Sequence, residues 1–442
     1  VVVLGGGPAG LAAAWWAARE GRSVVLVERA PVVGGMAASF EVAGVRVDHG
    51  SHRLHPACDP VVLAELRSLL GDELQWRRRR GRIAVAGRWV AFPLRAAELA
   101  RQLPPGLALR LVGDALAAPL RHPAADTYAE VVRAGPGPTV AAHVYFPYAR
   151  KLWGCEPAEL AGEQARRRIS ARSPTALVAR ALRGSRAAGG WFWYPARGFG
   201  RIPEALAEAA DAAGARLRVG TEATAVAAGP GGVRVHLAGG EVVEGAALWS
   251  TLPLPTLARL AGAPPAVQEA AAHLTHRSLV LAYLVVSRCQ WTPYDAHYLP
   301  GPETPVSRVS EPRNYRDGPD PPDRTVICAE IPCAVGDPVW AADGEELAGL
   351  VREGLLRMGL PDPAPVGVAV RRLAAAYPVY RVGYAAHLRV VETWLAALPR
   401  VRSFGRLGLF AHDNTHHALA EARACVATAD DDRAWAAARA GF

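Results

Sequence analysis

VVVLGGGPAGLAAAWWAAREGRSVVLVE, residues 1 to 28, decides how the rest of the chain is read. Val1 to Leu4 are uniformly apolar and predict a short buried strand. Gly5, Gly7 and Gly10 follow at the spacing G-x-G-x-x-G, with Pro8 and Ala9 between the last two. An alanine-rich helix is expected from about Pro8 to Glu20, a turn at Gly21-Arg22, and a second strand from Val24 to Val27 that ends on Glu28. Each glycine has its own reason. Gly5 permits the tight turn, Gly7 lets the backbone approach a pyrophosphate, and Gly10 lets helix and strand pack closely. The helix N-terminus turns free N–H groups and a positive dipole end toward the phosphates. Glu28, with Arg29 beside it, would accept hydrogen bonds from a ribose and disfavour a 2′-phosphate. A glycine triplet alone also fits an ordinary βαβ turn. The strand, helix, second strand and acid together predict a dinucleotide site.

The stretch beyond Glu28 distinguishes between dinucleotides. Gly34-Gly35-Met36-Ala37-Ala38-Ser39 places a second glycine pair where two-dinucleotide-type flavoproteins bring the chain close to their cofactor. Val45 to Asp48 predicts a short strand leading into His49-Gly50-Ser51-His52-Arg53-Leu54-His55. An NAD dehydrogenase has no use for this second loop. The expected cofactor is FAD, held without a covalent link. The expected fold is α/β: a Rossmann-like FAD-binding domain of the two-dinucleotide-binding type, with a helical and a β-sheet substrate region.

Down the chain, the pattern divides into FAD-binding segments at 1–92, 191–278 and 371–442. A helical substrate region at 93–190 and a sheet-rich one at 279–370 lie between them. Residues 59–70 and 202–213 have helical periodicity, Arg82 to Phe92 reads as strand with a turn at Gly87, and 224–245 reads as a hairpin. The aromatic run Trp191-Phe192-Trp193-Tyr194 predicts a strand packed between domains, or an apolar substrate wall. Strands are expected at 247–252, 366–373 and 401–405, and helices at 343–358 and 383–398. The proline-rich stretch 312–323 is expected to be a mobile loop, and His416 to Asp430 the last helix.

With 442 residues, 51% of them hydrophobic, the chain has ample material for more than one domain. Its net charge of +9 is carried by arginine, since Lys151 is the only lysine. The basic residues are scattered and lack an aromatic-interleaved module, which argues against nucleic acid. Cys58, Cys155, Cys289, Cys328, Cys333 and Cys425 form no C-x-x-C pair. They predict free thiols, a cytoplasmic setting and no metal centre. No apolar run reaches the ~18 residues of a membrane span. Contact with a membrane surface is left open, as is the oligomeric state.

At this point five blocks, in order, resemble the flavin amine oxidase and protoporphyrinogen oxidase superfamily, and within it the UDP-galactopyranose mutase-like branch. Gly50 to His55 resembles G-x-H-x-x-H beside the isoalloxazine, Tyr148 to Gly154 the Y-T-x-K-x-W-G block of the substrate cleft, and Arg168 to Arg172 the block R-I-P-V-R. Pro305 to Glu311 resembles P-Y-T-R-x-x-E, and Gly405 to Gly408 is G-R-L-G. The resemblance implies that Arg308 lies between flavin and substrate and that Trp153 and Arg172 meet the substrate. It also implies that Gly405 and Arg406 hold FAD and that the helix after them, opening at Asn414, points at the flavin. The mutase tyrosine pair is replaced by Phe410 and His412, and Asn414 to Leu419 is closer to the N-N-x-D-H-S-M pattern of oxidoreductase-like relatives.

The expected chemistry is oxidation of a small molecule by hydride transfer from a substrate C–H to flavin N5. Arg308 would stabilise developing negative charge, and a proton would pass through His52, His55 or His417. The alternative is a redox-neutral, mutase-like reaction of a nucleotide sugar with reduced flavin, its diphosphate held by Arg172 and Arg308. The single lysine sits in the W-G block, which argues against an amine oxidase that places a lysine at flavin N5.

Overall fold

The computed structural model describes residues 1–92, 102–168 and 190–442. The opening stretch forms strand Val2–Leu4, helix Pro8–Arg19 and strand Val25–Val27. Every residue of both strands is buried, so neither shows the alternation of a half-exposed strand. Proline is tolerated at the helix start because an N–H there has no partner within the helix. Ala9 to Ala18 are all buried, and this small-residue helix packs between helices Arg201–Ala212 and Thr415–Ala427.

The two strands are neighbours in a five-stranded parallel sheet. Arg216–Arg218 flanks Val25–Val27, while Leu248–Ser250 and then Val401–Ser403 extend the sheet beyond Val2–Leu4. A second sheet has seven strands in the order Gly367–Pro378, His276–Val286, Thr325–Cys333, Arg308–Ser310, Ala296–Tyr298, Gly81–Val85 and Arg88–Phe92. One face, with Val280, Ala282, Leu284, Ile327 and Ala329, packs on Leu347, Val351 and Leu355 of helix Gly344–Arg357. The opposite face, with Leu279, Leu281, Tyr283 and Cys328, packs on Val42, Val45 and Val47 of hairpin 39–48. The central strands are therefore covered on both sides, and that second face meets the nucleotide-binding part of the chain.

Several expectations shift. The hairpin 81–92 joins the large sheet, through the parallel pairing of Gly81–Val85 with Ala296–Tyr298, instead of staying with the first FAD-binding segment. The large sheet also takes in 276–278 and 371–378, beyond both edges assigned to the sheet-rich region. Residues 223–245 make three antiparallel strands, and Trp191–Pro195 pairs with Leu74–Arg78. Phe192 and Tyr194 point into the core, while Trp191 stays exposed and stacks on Trp76. The stretch 312–323 is not a free loop. Tyr315 and Arg316 are buried within it, and Arg316 Nη2 pairs with Asp320 Oδ1 at 2.6 Å, so polar contacts and burial hold it in place. Helix Thr415–Ala427 is followed by another, Asp432–Arg439, because Asp431 caps a new start by accepting from the amides of Arg433 and Ala434. All six cysteines are free. Among the described residues, no helix is long and apolar enough to cross a membrane.

Candidate active site

The glycine loop forms one wall of a cradle. Gly5 has φ +103°, and a Cβ there would strike Thr251 Oγ1 at 2.3 Å. A Cβ on Gly10 would lie 2.0 Å from the Gly5 carbonyl oxygen, so only glycine lets the helix sit this close to the strand. A Cβ on Gly7 would meet nothing within 4 Å. Among the described residues, no acceptor reaches the N–H groups of Gly7, Ala9 and Gly10, which lie at the first turn of the helix. Open space against unpaired amides at a helix N-terminus is what a pyrophosphate needs.

The second glycine pair closes on the first. Gly34 N donates to Gly6 O at 2.7 Å, and a Cβ on Gly35, which has φ +53°, would be 3.3 Å from Gly7 Cα. Met36 lies in the short helical turn that follows. Glu28 braces the loop. Its Oε2 accepts from Gly6 N at 2.6 Å and its Oε1 from Ala30 N at 2.7 Å, leaving each oxygen a further lone pair for a ribose hydroxyl. The Arg29 side chain instead stands in solvent, 4.0 Å from Glu222.

The C-terminal block packs on the same loop. Gly405 has φ +79°, and its Cβ would lie 3.2 Å from Ala9 Cβ. Arg406 donates to the carbonyls of Asp413 and Ala376 at 2.7 and 3.0 Å. Asn414 caps helix Thr415–Ala427, and its N–H donates to His417 Nδ1 at 3.2 Å. Beneath the block, buried Glu421 accepts from Gly405 N at 2.6 Å. Burial and the neighbouring Asp413 push the Glu421 carboxyl up to about 8.

The loop Gly50–Leu54 leaves this cradle and docks on the large sheet. There Ile83, Tyr298, Arg308, Glu330 and Leu281 stand directly across from one another on successive strands, so they share one face. Glu330 takes Arg308 in a fork, Nε to Oε1 at 2.9 Å and Nη2 to Oε2 at 2.8 Å. Its Oε1 also accepts from Ser51 N at 2.8 Å. Arg53 Nη2 donates to Asp295 Oδ1 at 3.0 Å and to Tyr315 Oη at 3.1 Å, and Ser51 Oγ lies 2.6 Å from Tyr315 Oη. Arg79 Nη2 donates to Tyr298 Oη at 2.8 Å. A buried ionic cluster thus ties the loop to the sheet.

The predicted site residues separate into groups. His52 comes to Arg308 and Glu330 and stacks on Phe199 at 5.2 Å; burial, the largest influence, pushes its imidazole down and keeps it neutral. His55 and His417 gather elsewhere, either side of His416, at 5.0 and 4.0 Å between rings. Trp153 is a core residue, edge-on to Tyr128, and Phe410 is wholly buried at φ +52° with its carbonyl accepting from Tyr380 Oη at 2.8 Å. Both side chains are packed away from solvent. His412 is also buried, its Nε2 2.7 Å from Gln164 Nε2. Arg172 lies outside the described residues. Lys151 is spent on the backbone, donating to Leu299 O and Val306 O, and burial lowers it to about 7. Glu330, Tyr298, Arg53, Arg79 and Asp295 are the functional candidates that the sequence reading missed. The lone acid of Thr325–Cys333, TVICAEIPC, is the signal that could have marked Glu330.

The flavin containing amine oxidoreductase family matches residues 8–422. The chain belongs to that family. Its cofactor is FAD, and the cradle of open glycine backbone, unpaired amides and Glu28 fits an FAD dinucleotide. Solved structures share the fold at low identity. A reduced UDP-galactopyranose mutase is 20% identical with a TM-score of 0.83, over 99% of this chain and 96% of that one. A candidate protoporphyrinogen oxidase from Exiguobacterium sp. 255-15 is 18% identical with a TM-score of 0.73, over 97% and 98%. Putrescine oxidase bound to putrescine is 17% identical with a TM-score of 0.65, over 97% and 98%. No curated protein sequence matches the chain.

Proposed function

We propose that this member of the family is an FAD-dependent oxidoreductase acting on a small molecule. The observation that carries the reading is Arg308, clamped by Glu330 on the sheet face that meets the cofactor-side loop Gly50–Leu54. When bound, FAD supplies the two-electron acceptor at N5. The chain supplies the rest. A rigid guanidinium, preorganised by its carboxylate, would meet the negative charge that develops as hydride is transferred, without having to reorganise. Neutral His52, with its Nε2 3.0 Å from His49 O, stands beside that guanidinium as a proton relay.

Arg308→Ala should abolish turnover while FAD stays bound at wild-type stoichiometry. Normal turnover in that variant would place the site elsewhere. The likeness to a reduced UDP-galactopyranose mutase supports a second, redox-neutral reading on a nucleotide sugar. Titrating UDP, dTDP and GDP into oxidised and dithionite-reduced protein separates the two. Tighter nucleotide binding to the reduced form favours the mutase-like reaction. No nucleotide response, with rapid reoxidation in air, favours the oxidase.

A further inference from the structure

Tyr298 stands in line with Arg308 and Glu330, one strand further out. It is nearly fully buried, with the Phe92 ring 4.7 Å away. Arg79, Arg53 and Arg308 act on its phenol, together with Asp295. Tyr148 and Tyr315 lie close enough to feel it, and burial raises both well out of the neutral range, so they stay uncharged. Lys151 touches only the backbone next along the chain and has Glu303 as its counter-charge. Asp295 pairs with Arg53 and Glu330 with Arg308. Among the described residues, Arg79 pairs with no carboxylate. Its bond is to Tyr298, and its Nε is buried without a partner. Among the described residues, three guanidiniums thus face two carboxylates, which leaves the half-buried charge of Arg79 unmatched.

Burying an unmatched charge is costly, so something must neutralise it. We propose that this site takes a substrate bearing an anionic group, and that Tyr298 supplies the negative charge until that group arrives and then takes up a proton. The inference rests on the oxidoreductase reading for the word substrate, and on the cluster alone for the anion. Burial by itself would raise the phenol; the three arginines outweigh it and bring Tyr298 down to about 7. The exchange is balanced. A bound carboxylate or phosphate replaces the phenolate as the partner of Arg79, one proton from solvent forms the Tyr298 O–H bond, and no electrons move. The same charge pattern works against a cationic amine, which would meet the excess positive charge.

The test uses the FAD-loaded protein, with flavin absorbance as the binding signal and benzoate, benzamide and benzylamine as probes to tens of millimolar. Benzoate should bind at least about tenfold more tightly than the other two. Its affinity should fall about tenfold from pH 6 to pH 8, as the competent protonated form becomes the minority. Calorimetry in two buffers of different ionisation enthalpy should show close to one proton taken up at pH 8. Tyr298→Phe should keep the preference for benzoate, bind it with no fall toward pH 8, and take up no proton. Arg79→Gln should lose the preference. Equal binding of the three probes, failure of benzoate to bind, or proton uptake that survives in Tyr298→Phe would overturn the proposal. These measurements need no turnover. The oxidoreductase reading fails separately, if Arg308→Ala turns over normally.

Discussion

Substituting Gly7 and Gly10 by alanine, one at a time, separates folding from cofactor binding within a single loop. At Gly10 the new methyl meets the Gly5 carbonyl oxygen at 2.0 Å and Val3 Cγ1 at 3.4 Å. Gly5 cannot yield readily, because its N–H is bonded to Val27 O at 2.9 Å and its own α-carbon faces Thr251. Helix and strand must part by roughly 1 Å or more, at a cost of ~1–3 kcal/mol typical of overpacking. At Gly7 the backbone is at φ −77°, ψ 176°, an extended conformation open to any residue, and the methyl enters empty space. The flavin-free protein should lose only about 0.5–1 kcal/mol there, the difference between glycine and alanine at a helix N-cap. That empty space is where the pyrophosphate would approach, so FAD affinity should fall at least about tenfold, ~1.4 kcal/mol. Urea unfolding of flavin-free protein and fluorescence titration with FAD give the two numbers. Wild-type FAD affinity in Gly7→Ala, or wild-type stability in Gly10→Ala, would refute the reasoning.

Glu330→Gln leaves buried Arg308 without its counter-charge and replaces one of the two accepting oxygens by an NH2 group, so stability should drop by about 3–5 kcal/mol in urea unfolding. Glu421, raised to about 8, holds a proton in the native state that the unfolded chain has already released. Stability should therefore fall as pH rises from about 4.5 to 8, and Glu421→Gln should flatten that slope in melting curves taken across the range. Glu311 accepts from Trp291 N, Thr292 N, Thr325 Oγ1 and Asn314 Nδ2. Glu311→Leu should cost ~3 kcal/mol or more, and proteolysis should then cut within 312–323, where the wild type resists.

The cradle was legible in the sequence because its parts are local. A strand, three spaced glycines, a helix and an acid lie within the first 28 residues, and the geometry of each glycine follows from contacts with near neighbours. The ionic cluster was mostly illegible because its pairs are remote. Arg53 meets Asp295, Arg79 meets Tyr298, and Ser51 meets Glu330. Arg308 was found only through the resemblance of its block, since an arginine among so many carries little signal of its own. Burial on both faces also erased the alternation that would have shown which residues of Thr325–Cys333 share a side with Arg308. The proline-rich stretch misled for a related reason. Its composition is that of a loop, and what pins it, the burial of Tyr315 and Arg316, lies in residues folded around it.

The parallel sheet also sets a timetable for synthesis. Val2–Leu4 is made first, but its inner neighbour Leu248–Ser250 comes much later and Val401–Ser403 later still. Trp15 and Trp16 belong to the helix that Thr415–Ala427 covers. Until that segment leaves the ribosome, only helix Arg201–Ala212 can cover the first helix, and the side left open invites aggregation or chaperone capture. Gly405 completes the cradle against Ala9 only at the same late moment. The cradle is therefore complete only after residues 401–427 have been made, and a chain stopped before residue 401 lacks the outermost strand of its first sheet.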